Sequence, residues 1–383
     1  MRLIATLAAA LLLAAAPATA VHAVPPPQVA GFAYANQPGN PLYVVATGNE
    51  YNSTGGAIQV SRPVVGTYRL RFYGMAAPGG AAHVTARGSN SLCVVASWLP
   101  AAADLDVNVR CYNNAGALID SRFVVDFTNR KPVGVHFGYL WDDNAVPPAI
   151  GHTPAPAYSY DSAGLPITVF RSAVGRYQVE LGAFQTDSPG PWAAGYLHVT
   201  PYGAAARHCQ ALDPALVVDP SAIEVRCFDD TGAAVDTRFV LTFARQAAML
   251  GGSGARTTAT VDLSGVVPVM RGWTNSYGGA PTASMIIPGM YEIVFPGAGH
   301  LTGHAVASIM ALHRCTARSS PGGRAPATSI CSSTASTAIP ERRTRPCCST
   351  SPTSPDSQTG HRHGHPGARR PDRQPEAARP NRW

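Results

Sequence analysis

The sequence repeats one set of landmarks about two and a half times, and this internal repeat limits the possible folds more than any single motif does. Each complete copy carries Gly-x-Tyr, a histidine, two cysteines 18 residues apart, a turn ending in glycine, and Asp-x-Arg-Phe. In the first copy these landmarks lie at Gly66, His83, Cys93, Cys111, Gly116 and Asp120. In the second they lie at Gly175, His198, Cys209, Cys227, Gly232 and Asp236. A third copy retains Gly289, His304 and Cys315. Because equivalent landmarks lie 106 to 116 residues apart, each copy is long enough to bury its own core.

Between the landmarks, short β-branched and aromatic runs alternate between apolar and polar residues. Residues 68–72 and 123–127 show this in the first copy, and 177–181 and 239–243 in the second. Such alternation, bounded by Gly, Pro, Asn and Asp, predicts antiparallel strands with one face in a core. With roughly seven such runs per copy and almost no helix signal, we predict an all-β chain of tandem antiparallel β-sandwich modules of immunoglobulin-like type.

The linkers divide the chain into segments. Residues 31–131 form predicted module 1, 132–246 module 2, and 257–317 an incomplete module 3. A Gly-rich stretch at 251–254 is typical of a flexible linker.

The first 23 residues have the pattern of a secretory signal peptide. Arg2 is followed by an apolar stretch, and small residues before positions 21 and 24 provide two candidate cleavage sites. The apolar stretch is too short for a spanning helix, so we expect a secreted, extracellular protein without a membrane span.

The cysteine spacing predicts one disulfide in each complete module. In an exported protein, paired cysteines at a fixed spacing indicate disulfides and not metal ligands. A hairpin centred on residue 102 places Cys93 opposite Cys111, and one centred on residue 218 does the same for Cys209 and Cys227.

The net charge of +7 lies in the C-terminal tail. Residues 24–315 hold 17 basic against 18 acidic side chains, whereas residues 316–383 hold 11 arginines against 4 acidic side chains. Because no basic stripe with interleaved aromatic residues occurs in the modules, we expect no nucleic-acid partner.

After Cys315 the composition changes to Ser, Thr, Arg and Pro, and two interpretations compete. One is an authentic disordered tail over residues 318–383. The other, which we favour, is translation in a shifted frame. The codons of residues 327–338, read out of frame, permit a strand and a cysteine like those at 104–111. On that interpretation module 3 lacks its last strands and is unstable.

Several residue groups resemble functional sites, and each has a structural alternative. The histidines at 361, 363 and 365 have metal-ligand composition, but we favour random codons in a shifted frame as their origin. The turns at 113–116 and 229–232 suit either Ca²⁺ or a β-turn with a left-handed glycine, and we favour the turn. The recurring His83, His198 and His304 suggest catalysis, but no nucleophile or acid recurs beside them.

We therefore predict no catalytic residue, no metal site and no cofactor. Asp142 and Asp143 occur only in the second copy and lack a partner pair for catalysis. The candidate ligand-facing residues are Trp98, Trp141 and Trp192, whose rings can stack on sugars; the alternative is packing.

The order of landmarks resembles uncharacterised exported proteins of actinobacteria and similar high-GC bacteria, built from tandem β-modules. The resemblance covers roughly residues 31–315 and rests on Tyr51 to Gly56, on Arg62 with Gly-x-Tyr, on Cys93 to Trp98, and on Asp-x-Arg-Phe. It implies no activity.

These observations favour a non-catalytic repeat protein with a structural, adhesive or binding role outside the cell. The alternative is a cell-wall or carbohydrate-binding protein that uses the loop aromatics. A secreted hydrolase fits less well, because each module has the length of a bare sandwich without inserted catalytic loops.

Overall fold

The computed structural model describes residues 28–87, 90–129, 136–182, 195–212, 222–245, 257–262, 267–287 and 290–298, the single residues 305 and 307, and segments 316–319 and 327–330. The predicted signal peptide, Trp192, His304, Cys315 and the histidines at 361–365 lie outside the described residues.

Module 1 is built from nine strands in two sheets. The strands are β1 Val29–Ala35, β2 Leu42–Val44, β3 Glu50–Asn52, β4 Ile58–Val64, β5 Thr67–Phe72, β6 Ala81–Arg87, β7 Leu92–Ala101, β8 Asp104–Tyr112 and β9 Arg122–Asn129. One sheet has the order β6-β9-β1-β3, and the other has the order β7-β8-β5-β4-β2. Within each of these sheets neighbouring strands are antiparallel.

Module 2 repeats this arrangement with eight described strands and a short 3-10 helix, Pro156–Tyr158. The strands are β10 His136–Asp142, β11 Ser159–Asp161, β12 Thr168–Ala173, β13 Arg176–Glu180, β14 Gly195–Tyr202, β15 Arg207–Ala211, β16 Ile223–Asp229 and β17 Arg238–Arg245. Its strands have the orders β14-β17-β10-β11 and β15-β16-β13-β12, and the first of these continues into the β7-β8-β5-β4-β2 sheet of module 1 through a parallel β14–β7 pairing. The prediction of an all-β chain with antiparallel sheets is confirmed.

Because apolar and polar residues alternate along the strands, one face of each strand packs into a core. In β5, Tyr68, Leu70 and Phe72 are buried while the residues between them are half-buried or exposed. They pack with Phe123 and Phe127 of β9 on the facing sheet. Module 2 has a corresponding core built around Tyr177, Phe239 and Phe243.

Two disulfides close the predicted hairpins. Cys93 lies directly opposite Cys111 in the β7–β8 pairing, and Cys209 lies opposite Cys227 in the β15–β16 pairing. Both pairs are bonded, with Cα atoms 4.1 Å apart. The sequence prediction of these two disulfides is confirmed.

Among the residues described after module 2 there are six further strands: β18 Thr257–Asp262, β19 Val269–Asn275, β20 Thr282–Ile287, β21 Met290–Val294, β22 Thr316–Ser319 and β23 Ala327–Ile330. They pair as three antiparallel hairpins, β18–β19, β20–β21 and β22–β23. Ile286 and Ile287 of β20 are each 55% exposed, so this strand has an uncovered apolar stretch.

None of the helices in the described part of the chain has the length and apolarity to cross a membrane.

Candidate functional site

The recurring motif residues of module 1 meet in one charged clasp at the edge of the sandwich. The Arg62 guanidinium donates two hydrogen bonds to the Asp120 carboxylate, from Nε at 2.7 Å and from an Nη at 2.6 Å. The Gly66 N–H donates to the same carboxylate at 2.9 Å, and the Tyr68 hydroxyl lies 3.0 Å from it. The paired guanidinium holds the pKa of Asp120 below its usual value.

The tyrosine connects this clasp to the core. The Tyr68 ring is buried against Phe123, and its hydroxyl accepts the Ser121 N–H at 3.1 Å. Burial raises the pKa of Tyr68, so this hydroxyl stays protonated. A bulky ring in the core with its hydroxyl bonded to backbone fixes the chain where it enters β9.

Module 2 builds the same clasp from its own copy of the motif. Arg171 donates to Asp236 at 2.9 and 2.8 Å, and the Gly175 N–H donates to it at 2.8 Å. The Tyr177 hydroxyl accepts the Thr237 N–H at 2.9 Å. The recurrence of Arg, Gly-x-Tyr and Asp is therefore explained by a contact that each sandwich makes within itself.

The turns considered for Ca²⁺ have their side-chain oxygens engaged by backbone. Asn113 Oδ1 accepts the N–H groups of Ala115 and Ala117 at 2.9 and 3.0 Å. Asp229 Oδ1 accepts those of Thr231 and Ala233, each at 3.0 Å. Both turns end in a glycine with positive φ. These contacts are those of the favoured turn interpretation.

A second group of recurring residues lies where the modules meet. His83 of β6 and His198 of β14 occupy equivalent positions, and their rings stack with centroids 4.2 Å apart. His83 also bonds two threonine hydroxyls of module 2: Nδ1 lies 2.9 Å from Thr200 Oγ1, and Nε2 lies 2.7 Å from Thr242 Oγ1. Both ring nitrogens of His83 are thereby used in the junction, which leaves neither for catalysis or a metal.

This junction is buried. His83 is wholly inaccessible, and burial, together with the nearby His198, lowers its pKa well below the ordinary histidine value. Asp126 lies opposite His83 in the β6–β9 pairing, and both of its carboxylate oxygens are buried without a hydrogen-bond partner. Burial raises the pKa of Asp126 well above the ordinary value, which favours the neutral acid.

Two of the candidate ligand-facing tryptophans lie in an aromatic cluster at the same junction. Trp98 contacts Trp141, Tyr158 and Tyr202 of module 2, with ring centroids 5.7, 5.8 and 5.4 Å away. Trp98 is 3% exposed, and its indole N–H donates to Gly79 O at 2.9 Å. Trp98 therefore has no free face for a sugar in this arrangement, and packing is the role that its contacts support.

Beside this cluster, the backbone of Gly79 and Gly80 in module 1 approaches module 2 closely. The Gly80 N–H donates to Ala157 O at 3.1 Å. At Gly79, where φ is +85°, an added Cβ would lie 1.8 Å from that oxygen. Glycine is required here because any side chain would separate the modules.

A third group combines two carboxylates with an imidazole at the end of β10. Asp142 is fully buried, and its Oδ1 lies 2.9 Å from His152 Nε2. Asp143 Oδ1 lies 3.9 Å from the same nitrogen. Burial raises the pKa of Asp142 to about 6, although the contact with His152 acts in the opposite direction. Among the described residues, this is the group of His, Cys, Asp and Glu side chains close enough together to hold a metal ion.

Comparison of the chain with protein-family models, with curated proteins and with solved structures finds no match.

Sequence reasoning identified Asp142 and Asp143 but gave them no partner, because His152 is not adjacent to them in the pattern of landmarks. A signal was present in the sequence. The two aspartates and the histidine belong to copy two alone, whereas most landmark residues recur in copy one. Residues that differ between otherwise equivalent modules are those that the shared fold does not require.

Proposed function

We propose that this chain is a secreted, non-catalytic protein whose tandem immunoglobulin-like sandwiches act as a rigid structural or adhesive element outside the cell. The observation that carries the proposal is the use made of the recurring residues. They form the clasp within each sandwich and the stacked His83–His198 pair between sandwiches. A repeat whose shared residues serve packing supports a mechanical or display role more than a repeated chemical one.

The contacts between the two modules support the same proposal. Module 2 contributes Tyr202 to a parallel pairing with Val95 of module 1, and the Gly203 N–H donates to Val95 O at 2.9 Å. Together with the aromatic cluster around Trp98, this contact holds the two sandwiches in one orientation. A fixed orientation suits a spacer or a support for a binding surface.

The alternative, a cell-wall or carbohydrate-binding protein, draws less support from the residues first considered for it. Trp98 is buried, Trp141 packs against Tyr158 with centroids 4.9 Å apart, and Trp192 lies outside the described residues. Glycan binding would have to use other aromatic side chains, such as Tyr51, which is 42% exposed.

The proposal is tested by expressing the full gene in a secreting bacterial host and assaying the protein recovered from the medium. We expect closed disulfides, no turnover in a panel of glycosidase, esterase and peptidase substrates, and no retention on peptidoglycan or polysaccharide. Turnover that copurifies with the protein through two successive columns would overturn the non-catalytic role. Retention that free sugar reverses would establish the carbohydrate-binding alternative instead.

A further inference from the structure

We propose that Asp142, Asp143 and His152 form a binding site for a divalent transition-metal ion of the zinc class in module 2. Each residue offers one ligand atom, and the three atoms all lie within 4.8 Å of one another. A tetrahedral site with metal–ligand distances of about 2.1 Å places its ligands about 3.4 Å apart. The observed separations from His152 Nε2, 2.9 Å to Asp142 and 3.9 Å to Asp143, lie on either side of that value.

The state of Asp142 provides an independent reason to expect a cation. Its side chain is fully buried, and Oδ2 has no hydrogen-bond partner. A buried carboxylate oxygen without a partner is destabilising, and proteins pair such groups or use them to coordinate metals. Oδ1 already has His152 Nε2 and the Asn144 N–H as partners, so a metal ion bound through both oxygens of this carboxylate would give Oδ2 the partner that the described residues do not supply.

Strand pairing holds the ligands in place. Asp142 ends β10 and lies opposite Phe239 of β17. His152 exchanges two backbone hydrogen bonds with Val169, each 2.9 Å long. Asp142 and His152 therefore project from backbone that is fixed by neighbouring strands, as a preorganised site requires, and Asp143 directly follows Asp142.

The equivalent positions of module 1 lack the aspartates and the histidine of this group. Ala35 lies opposite Phe123 in the β1–β9 pairing, as Asp142 lies opposite Phe239. Phe123 and Phe239 are the same landmark of the repeat, so Ala35 is the counterpart of Asp142. Asn36, which follows Ala35, is then the counterpart of Asp143.

The histidine has a counterpart as well. His152 pairs with Val169, and Tyr43 pairs with Val60 in the β2–β4 ladder of module 1. Val60 and Val169 end the equivalent Ile-x-Val runs of the two copies. Module 1 thus folds with Ala, Asn and Tyr at the three places where module 2 has Asp, Asp and His. The sandwich does not need the charged residues, which points to a separate role for them.

The donor set selects the class of metal. Imidazole nitrogen suits zinc and its transition-metal neighbours, whereas Ca²⁺ and Mg²⁺ prefer oxygen alone. The Asp143 side chain is 39% exposed and that of His152 is 18% exposed, so the ion would reach solvent and retain a water ligand. The arrangement is that of an open site and not of a closed structural one.

The test uses the full chain without an affinity tag, in a background where His361, His363 and His365 are changed to alanine so that this histidine cluster binds no zinc. Titration calorimetry with ZnCl₂ is expected to show one bound ion. The matched control carries the module 1 residues in module 2, Asp142→Ala, Asp143→Asn and His152→Tyr. Because module 1 folds with these residues, the control should fold and bind no zinc.

Asp143→Asn alone provides a second variant whose exposed position leaves the fold intact. We expect it to bind zinc about tenfold more weakly or worse. Co²⁺ in place of zinc should give a ligand-field absorption band that this variant shifts. The proposal is overturned if the background protein binds no zinc, if the triple variant binds it equally, or if Asp143→Asn leaves both affinity and spectrum unchanged.

Discussion

Replacement of His83 by leucine tests whether the buried histidine joins the two modules. The substitution removes both ring nitrogens and leaves the hydroxyls of Thr200 and Thr242 without this partner. A buried polar group that loses its partner costs about 1–3 kcal/mol. Because a hydroxyl can rotate toward another acceptor, we expect a total loss of about 2–4 kcal/mol in the free energy of unfolding.

A triple variant separates hydrogen bonding from packing. In His83→Leu/Thr200→Val/Thr242→Val the unpaired hydroxyls are gone, and valine has nearly the shape of threonine. Replacement of all partners by apolar groups is close to neutral, so stability should return to within about 1 kcal/mol of the wild type. Failure of the triple variant to recover would show that ring packing against His198, and not the threonine bonds, stabilises the junction.

The pH dependence of the free energy of unfolding provides a second test of the role of His83. The pKa of His83 is lowered in the folded protein by burial and by His198, so between that value and 6.5 only the unfolded chain binds the proton. Unfolding is then favoured by acid, and wild-type stability falls below pH 6.5 by at most about 1.4 kcal/mol per pH unit. The single His83→Leu variant lacks this component. Asp126, whose raised pKa acts in the opposite direction, is present in both proteins.

The assay is urea unfolding at pH 5 to 8 and constant ionic strength, followed by tryptophan fluorescence from the junction. The stability difference between wild type and His83→Leu should shrink as the pH falls below 6.5. Parallel pH profiles for the two proteins would refute the assignment of His83 as a neutral, buried residue.

Three further substitutions test other parts of the structure, each by denaturant unfolding. Cys93→Ser/Cys111→Ser should cost about 3 kcal/mol, and an unchanged midpoint would mean that the disulfide does not restrict the unfolded chain. Trp98→Ala should cost about 3–5 kcal/mol because its ring is buried at the junction, whereas the 56% exposed Leu99→Ala on the same strand should change stability by less than about 1 kcal/mol. Equal effects at these two positions would contradict the packing role of Trp98. Asp126→Thr should raise the free energy of unfolding at pH 7 by about 1–3 kcal/mol, because it removes a buried carboxyl whose oxygens have no hydrogen-bond partner. A loss of stability would instead show that this carboxyl makes a needed hydrogen bond.

Much of the fold follows from local patterns. Alternation over residues 68–72 predicts a strand with Tyr68, Leu70 and Phe72 inward, and these three side chains are buried. The disulfides were predictable because a hairpin of known centre fixes which residues lie opposite each other. The turn at Asn113 was predictable because its oxygen bonds backbone only a few residues away.

The site residues depend on longer distances. Arg62 and Asp120 lie 58 residues apart, and their pairing requires β4 and the start of β9 to meet across the sandwich. The burial of Trp98 was not predictable from its place in β7, because the covering rings belong to module 2. A loop tryptophan and a junction tryptophan have the same local sequence pattern.

The sequence alone determined the strands, their inward faces and the paired cysteines, because these depend on residues close together in the chain. It also marked which residues recur. Only the tertiary structure decided what they do: it stacked His83 on His198 and turned Trp98 into a junction residue. It also brought His152 to the buried Asp142. Side chains from separate strands acquire a common environment only when two sheets, or two modules, pack together.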